Sequence, residues 1–154
     1  ETRHWQALIA ERRATNAREA RRRRIPRIML SDGTAFYDAP STGEAANTIS
    51  GAPVSAGVVE GVVRVVFNPH GVQLTPGEIL VCPATDPAWT PLFLAAGGLV
   101  MEVGGMMTHG SVVAREYGIP AVVGVSQATT RLQTGQRVRV DGGSGVITVL
   151  EDQT

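Results

Sequence analysis

Short apolar runs recur between Val58 and Leu150, each bounded by glycine, proline, Asp or Asn. That rhythm predicts strands alternating with short helices. Val58–Phe67 is apolar and β-branched but broken by Glu60, Gly61 and Arg64, which suits a strand pair or one bent strand. Thr75-Pro76-Gly77 reads as a turn before a buried strand at Glu78–Cys82. Asp86-Pro87 opens a helix, with Asp86 as N-cap and proline at the first helical position. Trp89, Leu92, Phe93 and Ala96 carry that helix to a stop at Gly97-Gly98, before a strand at Leu99–Val103. A second helix fits Thr108–Tyr117, with Thr108 as N-cap, Gly118 just past its end and Pro120 beyond. Ala121–Val125 reads as a strand and Gln127–Leu132 as a short helical turn. Gln136–Val140 and Val146–Leu150 pair as a hairpin joined through Asp141-Gly142-Gly143.

The first residues follow another pattern. Ala, Arg, Glu and Gln dominate residues 2–24, which predicts a helix. Trp5, Leu8 and Ile9 share one face, but Arg12 and Arg13 end the stripe. The helix is therefore too polar to fold by packing alone. Pro26 disfavours helix at Ile25 and ends it there.

Charge sharpens this division. Residues 1–27 hold nine Arg and three Glu, a net +6, and residues 28–154 carry the compensating −6. All eighteen glycines lie from Gly33 onward. The expected organisation is an Arg-rich linker helix from a preceding domain over 1–27 and an α/β body over 28–154. The chain opens on Glu1 rather than Met and reads as a piece of something longer. Arg21–Arg24 invites a nucleic-acid reading, but the rest of the chain is acidic, unlike a basic binding face.

Composition then excludes several chemistries. Hydrophobic residues make up 43%, enough for a core. No apolar run approaches the roughly 18 residues of a membrane span. Cys82 is the lone cysteine, so an internal disulfide or a cysteine-rich zinc site is out, and a reducing cytoplasm is the natural setting. The basic residues are all Arg, so no lysine serves a Schiff base or a phosphate loop. His4, His70 and His109 lie in no metal-ligand spacing; His4 suits solvent and His70 a turn. Ser111 lacks the GxSxG context of a serine hydrolase.

One stretch concentrates candidate chemistry: Val103-Gly104-Gly105-Met106-Met107-Thr108-His109-Gly110-Ser111. A buried strand ends, two glycines turn the backbone, and a helix begins at a histidine. Helix N-termini present unpaired N–H groups and partial positive charge, which suits phosphate. That environment keeps an imidazole neutral and nucleophilic, and it stabilises a phosphoryl group bonded to the ring. Gly110 leaves room for a large anion, while Thr108 and Ser111 offer hydroxyls. A histidine that merely closes a strand–helix turn fits the same residues.

The run GGMMTHGSVVAREYGIPAVVG over residues 104–124 resembles the phosphohistidine motif of the phosphoenolpyruvate (PEP)-utilising enzymes, which include PEP synthases, pyruvate phosphate dikinases and rifampicin phosphotransferases. Gly51–Val66 is similar to the family's opening strands, Thr85–Pro91 to its helix start, and Gly135–Leu150 to its closing segment. The resemblance spans roughly residues 49–150. It implies the swivelling β/β/α fold of a mobile carrier, with His109 as the phosphorylated residue. Thr108 joins it as catalytic hydroxyl, and Gly104, Gly105, Gly110, Ser111 and Arg115 as phosphate-binding positions. It implies no cofactor or metal in this domain. Mg-ATP would sit on an ATP-grasp partner domain of the parent chain, and the acceptor on another.

Thr108 stands where the family has Ser or Cys, and Gly110 where it has Ala, a change that loosens the first turn by up to ~1 kcal/mol. Met107 stands where dikinases carry a regulatory threonine, so that regulation is not expected. Arg115 lies about 600° around the helix from His109. Pairing with Glu102 or Asp141 is as good a role for it as phosphate contact. Glu116, Thr85, Trp89 and Cys82 read as structural, with the loop at Thr85 able to touch a partner domain. The stretch Pro26–Gly33 is similar to the leading segment of the rifampicin-phosphotransferase group, which favours that kind of parent.

Overall fold

The computed structural model describes residues 2–21, 28–36 and 47–150. Two compact units divide between Pro40 and Ser41.

In the first unit, helix α1 spans Thr2–Glu19. Its end is a tightened turn, with the Arg21 N–H donating to the Arg18 carbonyl at 3.2 Å. The helix thus stops before the arginine run; Arg22–Arg24 and the expected stop at Ile25-Pro26 lie outside the described residues. Trp5 is 58% exposed, and Leu8 and Ile9 share a shallow groove with Arg12, Arg13 and Asn16. Strands β1 (Ile28–Met29) and β2 (Ala35–Phe36) pair antiparallel. Their turn is closed by Gly33 at φ 89° and by the Asp32 carboxylate, which accepts the Thr34 N–H at 2.8 Å.

The second unit is built on eight strands: β3 (Thr48–Ser50), β4 (Ala52–Ser55), β5 (Val58–Val65), β6 (Ile79–Cys82), β7 (Gly98–Met101), β8 (Ala121–Val123), β9 (Arg137–Asp141) and β10 (Val146–Val149). They form one sheet in the order β3-β10-β9-β5-β6-β7-β8-β4. Val58–Phe67 is the bent strand that its polar interruptions suggest. Val58 to Val62 pair antiparallel with β9, and Val63 to Val65 pair parallel with β6. The sheet therefore has an antiparallel half and a parallel half that meet in β5.

Burial explains why the parallel strands read as continuous apolar runs. Every residue of β6 and β7 is buried. Ile79, Val81, Val100 and Val122 face one core with Val138, Val140 and Ile147 from the antiparallel half. Leu80, Cys82, Leu99, Met101, Ala121 and Val123 face a second core with Trp89, Leu92, Phe93 and Ala114. Two sheet layers and one helical layer result, a β/β/α arrangement. Each fully buried Leu, Ile or Phe contributes about 1.5–3 kcal/mol.

Helix α2 spans Thr90–Phe93, α3 His109–Tyr117 and α4 Ala128–Arg131. The helix expected from Asp86 to Ala96 is shorter and split. Asp86 caps a 3-10 turn at Pro87–Trp89, and Pro91 sits in the first turn of α2. Two prolines so close supply no N–H donors to extend the ladder. Gly97 and Gly98 are not its stop; Gly98 opens β7 opposite Ile79. They are small because neighbours lie close: a Cβ on Gly97 would sit 2.7 Å from the Gly77 carbonyl oxygen. The strands at Leu99–Val103 and Ala121–Val125 are each two residues shorter at their C-terminal end than their apolar runs. Those residues lead into the loops that follow, with Glu102, Val103 and Val125 still bonded to the neighbouring backbone.

Candidate active site

β6 and β7 run parallel and end side by side, Cys82 opposite Met101. The pairing continues past the strands, with the Glu102 N–H donating to the Cys82 carbonyl at 3.1 Å and the Val103 N–H to that of Pro83 at 2.9 Å. This places the loop after β6 beside the loop after β7, at the C-terminal ends of parallel strands where α/β folds bind ligands. Burial pushes the Cys82 thiol up to about 12, helped by the nearby Glu102 charge, so it stays protonated and inert.

The chain then passes Gly104 to Met107 and starts α3 at His109. Thr108 has the extended backbone of an N-cap, and its carbonyl accepts the Val112 N–H at 3.0 Å. Its side chain, however, makes no cap. The Thr108 hydroxyl donates to the Gly105 carbonyl at 2.9 Å, as the Ser111 hydroxyl does at 2.8 Å, and the two hydroxyl oxygens are 3.0 Å apart. Ser111 is fully buried and must find a partner inside. The Gly105 carbonyl is that partner, and Thr108 shares it. The expected side-chain cap is thus spent on bracing the loop. Among the described residues, no side-chain oxygen reaches the first-turn N–H groups of α3, so the positive helix end is left open there.

His109 is half-buried at this start. Its Nδ1 lies 3.4 Å from the Thr85 hydroxyl oxygen, and the Phe93 ring meets it edge-on at 6.2 Å between centroids. The Thr85 hydroxyl also lies 3.6 Å from Met101 Sδ. Thr85 is the contact that sequence reasoning missed. Adjacency of β6 and β7, not spacing along the chain, brings residues 85 and 109 together.

The remaining positions divide. Gly110 and Ser111 are buried under the first turn, and Gly105 has open space where a side chain would be. Arg115 pairs with neither Glu102 nor Asp141. It donates to the Met106 carbonyl at 2.7 Å and, more loosely, to that of Val54 at 3.3 Å, so it ties down the loop that leads to His109. Glu102 instead accepts the N–H and hydroxyl of Thr129 at the start of α4. Asp141 accepts the N–H groups of Gly143 and Ser144 in the hairpin turn. Glu116 is exposed. His70 sits in the turn expected for it, held by Asn68.

Residues 74–145 match the family described as PEP-utilising enzyme, mobile domain. A rifampicin phosphotransferase of Streptomyces sviceus is 52% identical over 126 residues, which cover 81% of this chain and 14% of that protein. A probable phosphoenolpyruvate synthase of Staphylothermus marinus is 43% identical over 107 residues, 68% of this chain and 13% of that protein. The chain thus spans about a seventh of the length of these relatives. Among solved structures, Thermococcus kodakaraensis aconitase X in its holo form superposes with a TM-score of 0.55 at 26% identity, over 68% of this chain and 98% of that one.

Proposed function

Since the chain belongs to the mobile-domain family of PEP-utilising enzymes, we propose that it is the phosphoryl carrier of a multidomain phosphotransferase, with His109 as the residue that bears the group. The observation that carries this reading is the uncapped start of α3 with a histidine as its first residue. With Nδ1 turned to Thr85, Nε2 is the nitrogen that reacts. Its lone pair attacks a phosphorus of Mg-ATP held on an ATP-grasp domain of the parent chain. The N–P bond forms as the P–O bond breaks, and the nucleotide leaves with that electron pair. In the second step an oxygen of the acceptor attacks the phosphorus and the N–P pair returns to Nε2. The acceptor's proton goes to a base on the acceptor-binding domain. One difficult transfer becomes two easier ones.

The free N–H groups of α3 and its dipole stabilise the phosphoryl oxygens while the group is carried. Gly104 and Gly105 shape the approach, and Gly110 keeps the first turn narrow. Thr108, Ser111 and Arg115 act by bracing the loop. No metal or cofactor is needed in the domain itself.

The favoured parent is rifampicin-phosphotransferase-like, which makes the acceptor an antibiotic hydroxyl. The 43% identity to a probable phosphoenolpyruvate synthase supports pyruvate as the second reading. The chemistry suits the cytoplasm, where ATP is abundant and Cys82 stays reduced. The test is labelling of the full-length parent with Mg-ATP carrying isotopic phosphate. One acid-labile, alkali-stable phosphoryl group per chain is expected, lost in His109→Ala. Labelling that survives this change returns His109 to a turn residue and the domain to a non-catalytic interaction module.

A further inference from the structure

Exposed apolar side chains flank the start of α3. Met107 is 86% exposed and Met106 65%, in the loop that leads to His109. Val112, one turn further along the same face of the helix, is exposed as well. No Asp, Glu, Lys or Arg stands between residues 103 and 114. The backbone of the loop is nevertheless held. The Gly105 carbonyl accepts two hydroxyls, and the Met106 carbonyl accepts from Arg115 at 2.7 Å. Two methionine side chains therefore stand in solvent on a fixed backbone, with their sulfurs open to reagents. Met101, packed beneath Gly110, is only 1% exposed.

We propose that Met107, with Met106 beside it, is an oxidation site through which a peroxide turns off phosphoryl uptake by His109. The inference rests on the reading of His109 as phosphoryl acceptor. Transfer brings the imidazole within about 3–3.5 Å of the phosphorus held on the donor domain. His109 is half-buried, so its ring comes that close only if the more exposed residues beside it meet the donor domain too. Met107 is two positions away and is buried in that encounter. In the oxidation, the thioether sulfur gives a lone pair to one oxygen of hydrogen peroxide. The S–O bond forms as the O–O bond breaks, and the leaving hydroxide takes the S–OH proton and becomes water. Sulfur loses two electrons and the peroxide gains them. The product, methionine sulfoxide, is polar where the thioether was apolar. Pressed against the donor domain, its oxygen is stripped of water with no partner provided. Methionine sulfoxide reductases return the thioether at the expense of a dithiol, so the block is reversible.

The full-length parent is treated with dilute hydrogen peroxide, mapped by peptide mass, and then labelled with Mg-ATP carrying isotopic phosphate. Sulfoxide should form at Met107 and Met106 well before Met101. Label uptake by His109 should fall about ten-fold, the size of one buried polar group without a partner, and should return after treatment with the reductases. Met106→Leu combined with Met107→Leu should take up label equally before and after peroxide, each protein being compared with itself. Met107→Gln, polar and of similar length, should lower uptake with no peroxide present. Recovery with the reductases serves if the leucine variant takes up too little label to compare. Uptake that survives sulfoxide at Met107, or that falls equally in the leucine variant, overturns the proposal. So does Met101 oxidising as fast as Met107. An untreated parent that takes up no label, with the stated order of oxidation, defeats the carrier reading, whereas full labelling with Met107 oxidised defeats this inference alone.

Discussion

Two helix starts lie beside each other at the C-terminal ends of β6 and β7, and they are closed in opposite ways. At the first, the Asp86 carboxylate accepts the Ala88 N–H at 2.8 Å, and Pro87 removes a donor that would otherwise need a partner. That start is satisfied by its own residues. At the second, Thr108 occupies the same position but its hydroxyl turns back to Gly105, and the next residues are His109 and Gly110. The residue type at an N-cap does not decide whether the helix start is covered, since Asp86 covers its own and Thr108 does not. What matters is whether the side chain covers the N–H groups or leaves them for a ligand.

Closing the open start should have the largest effect. Thr108→Asp puts a carboxylate where the phosphoryl group would lie, and it should lower phosphoryl uptake by His109 on the order of 10²-fold or more. The same change supplies a cap and should hold or raise stability by about 0.5–1 kcal/mol. Transfer rate and thermal midpoint, measured on one variant, should thus move independently; a parallel loss of both would mean that Thr108 acts only through the fold.

Gly110→Ala sharpens the comparison from the other side. Alanine improves helix propensity by up to ~1 kcal/mol, but its Cβ would collide with Thr85 Oγ1 and Met101. Overpacking of this kind costs about 1–3 kcal/mol, so denaturant unfolding should show a net loss of stability despite the better helix former. A gain in stability would show that Thr85 and Met101 yield freely.

Asp86→Ala should cost about 1 kcal/mol, the usual worth of a lost cap, and leave labelling of His109 intact. Calorimetry and the labelling assay together separate a structural helix start from a functional one. The smallest effect belongs to Asp141, a third carboxylate that closes a turn. The Ser144 N–H and hydroxyl, then the Gly143 N–H, hold its carboxyl below the usual carboxylate range. Its contribution is therefore present above the ordinary value and lost as pH falls through the depressed one. Asp141→Asn should flatten the fall of the thermal midpoint below about pH 4, through a slightly lower midpoint near neutrality and an unchanged one in acid.

The strands were legible because residues buried on both faces leave long apolar runs, as in Ile79–Cys82 and Leu99–Met101. The bend in β5 was legible from Gly61 and its charged neighbours. The extent of the helix after Asp86 was not, because apolar spacing through Ala96 outweighed the two prolines that cut it short. At the site, His109 was legible from the Gly-Gly turn before a helix start. Thr85 was not, since its contact depends on which strands become neighbours. Arg115 pairs with neither Glu102 nor Asp141, because helix geometry gives its direction but not the carbonyls of Val54 and Met106.

The decisive atom is the one to which a phosphoryl group becomes bonded. The test is to expose the 154-residue chain, with 15N-labelled histidine, to Mg-ATP and the proposed nucleotide-binding domain in trans, and to follow it by phosphorus–nitrogen correlation. Coupling of phosphorus to Nε2 of His109, with Nδ1 retaining its proton, is the predicted result. Phosphate on Nδ1, or on the hydroxyl of Thr108 or Ser111, would contradict it.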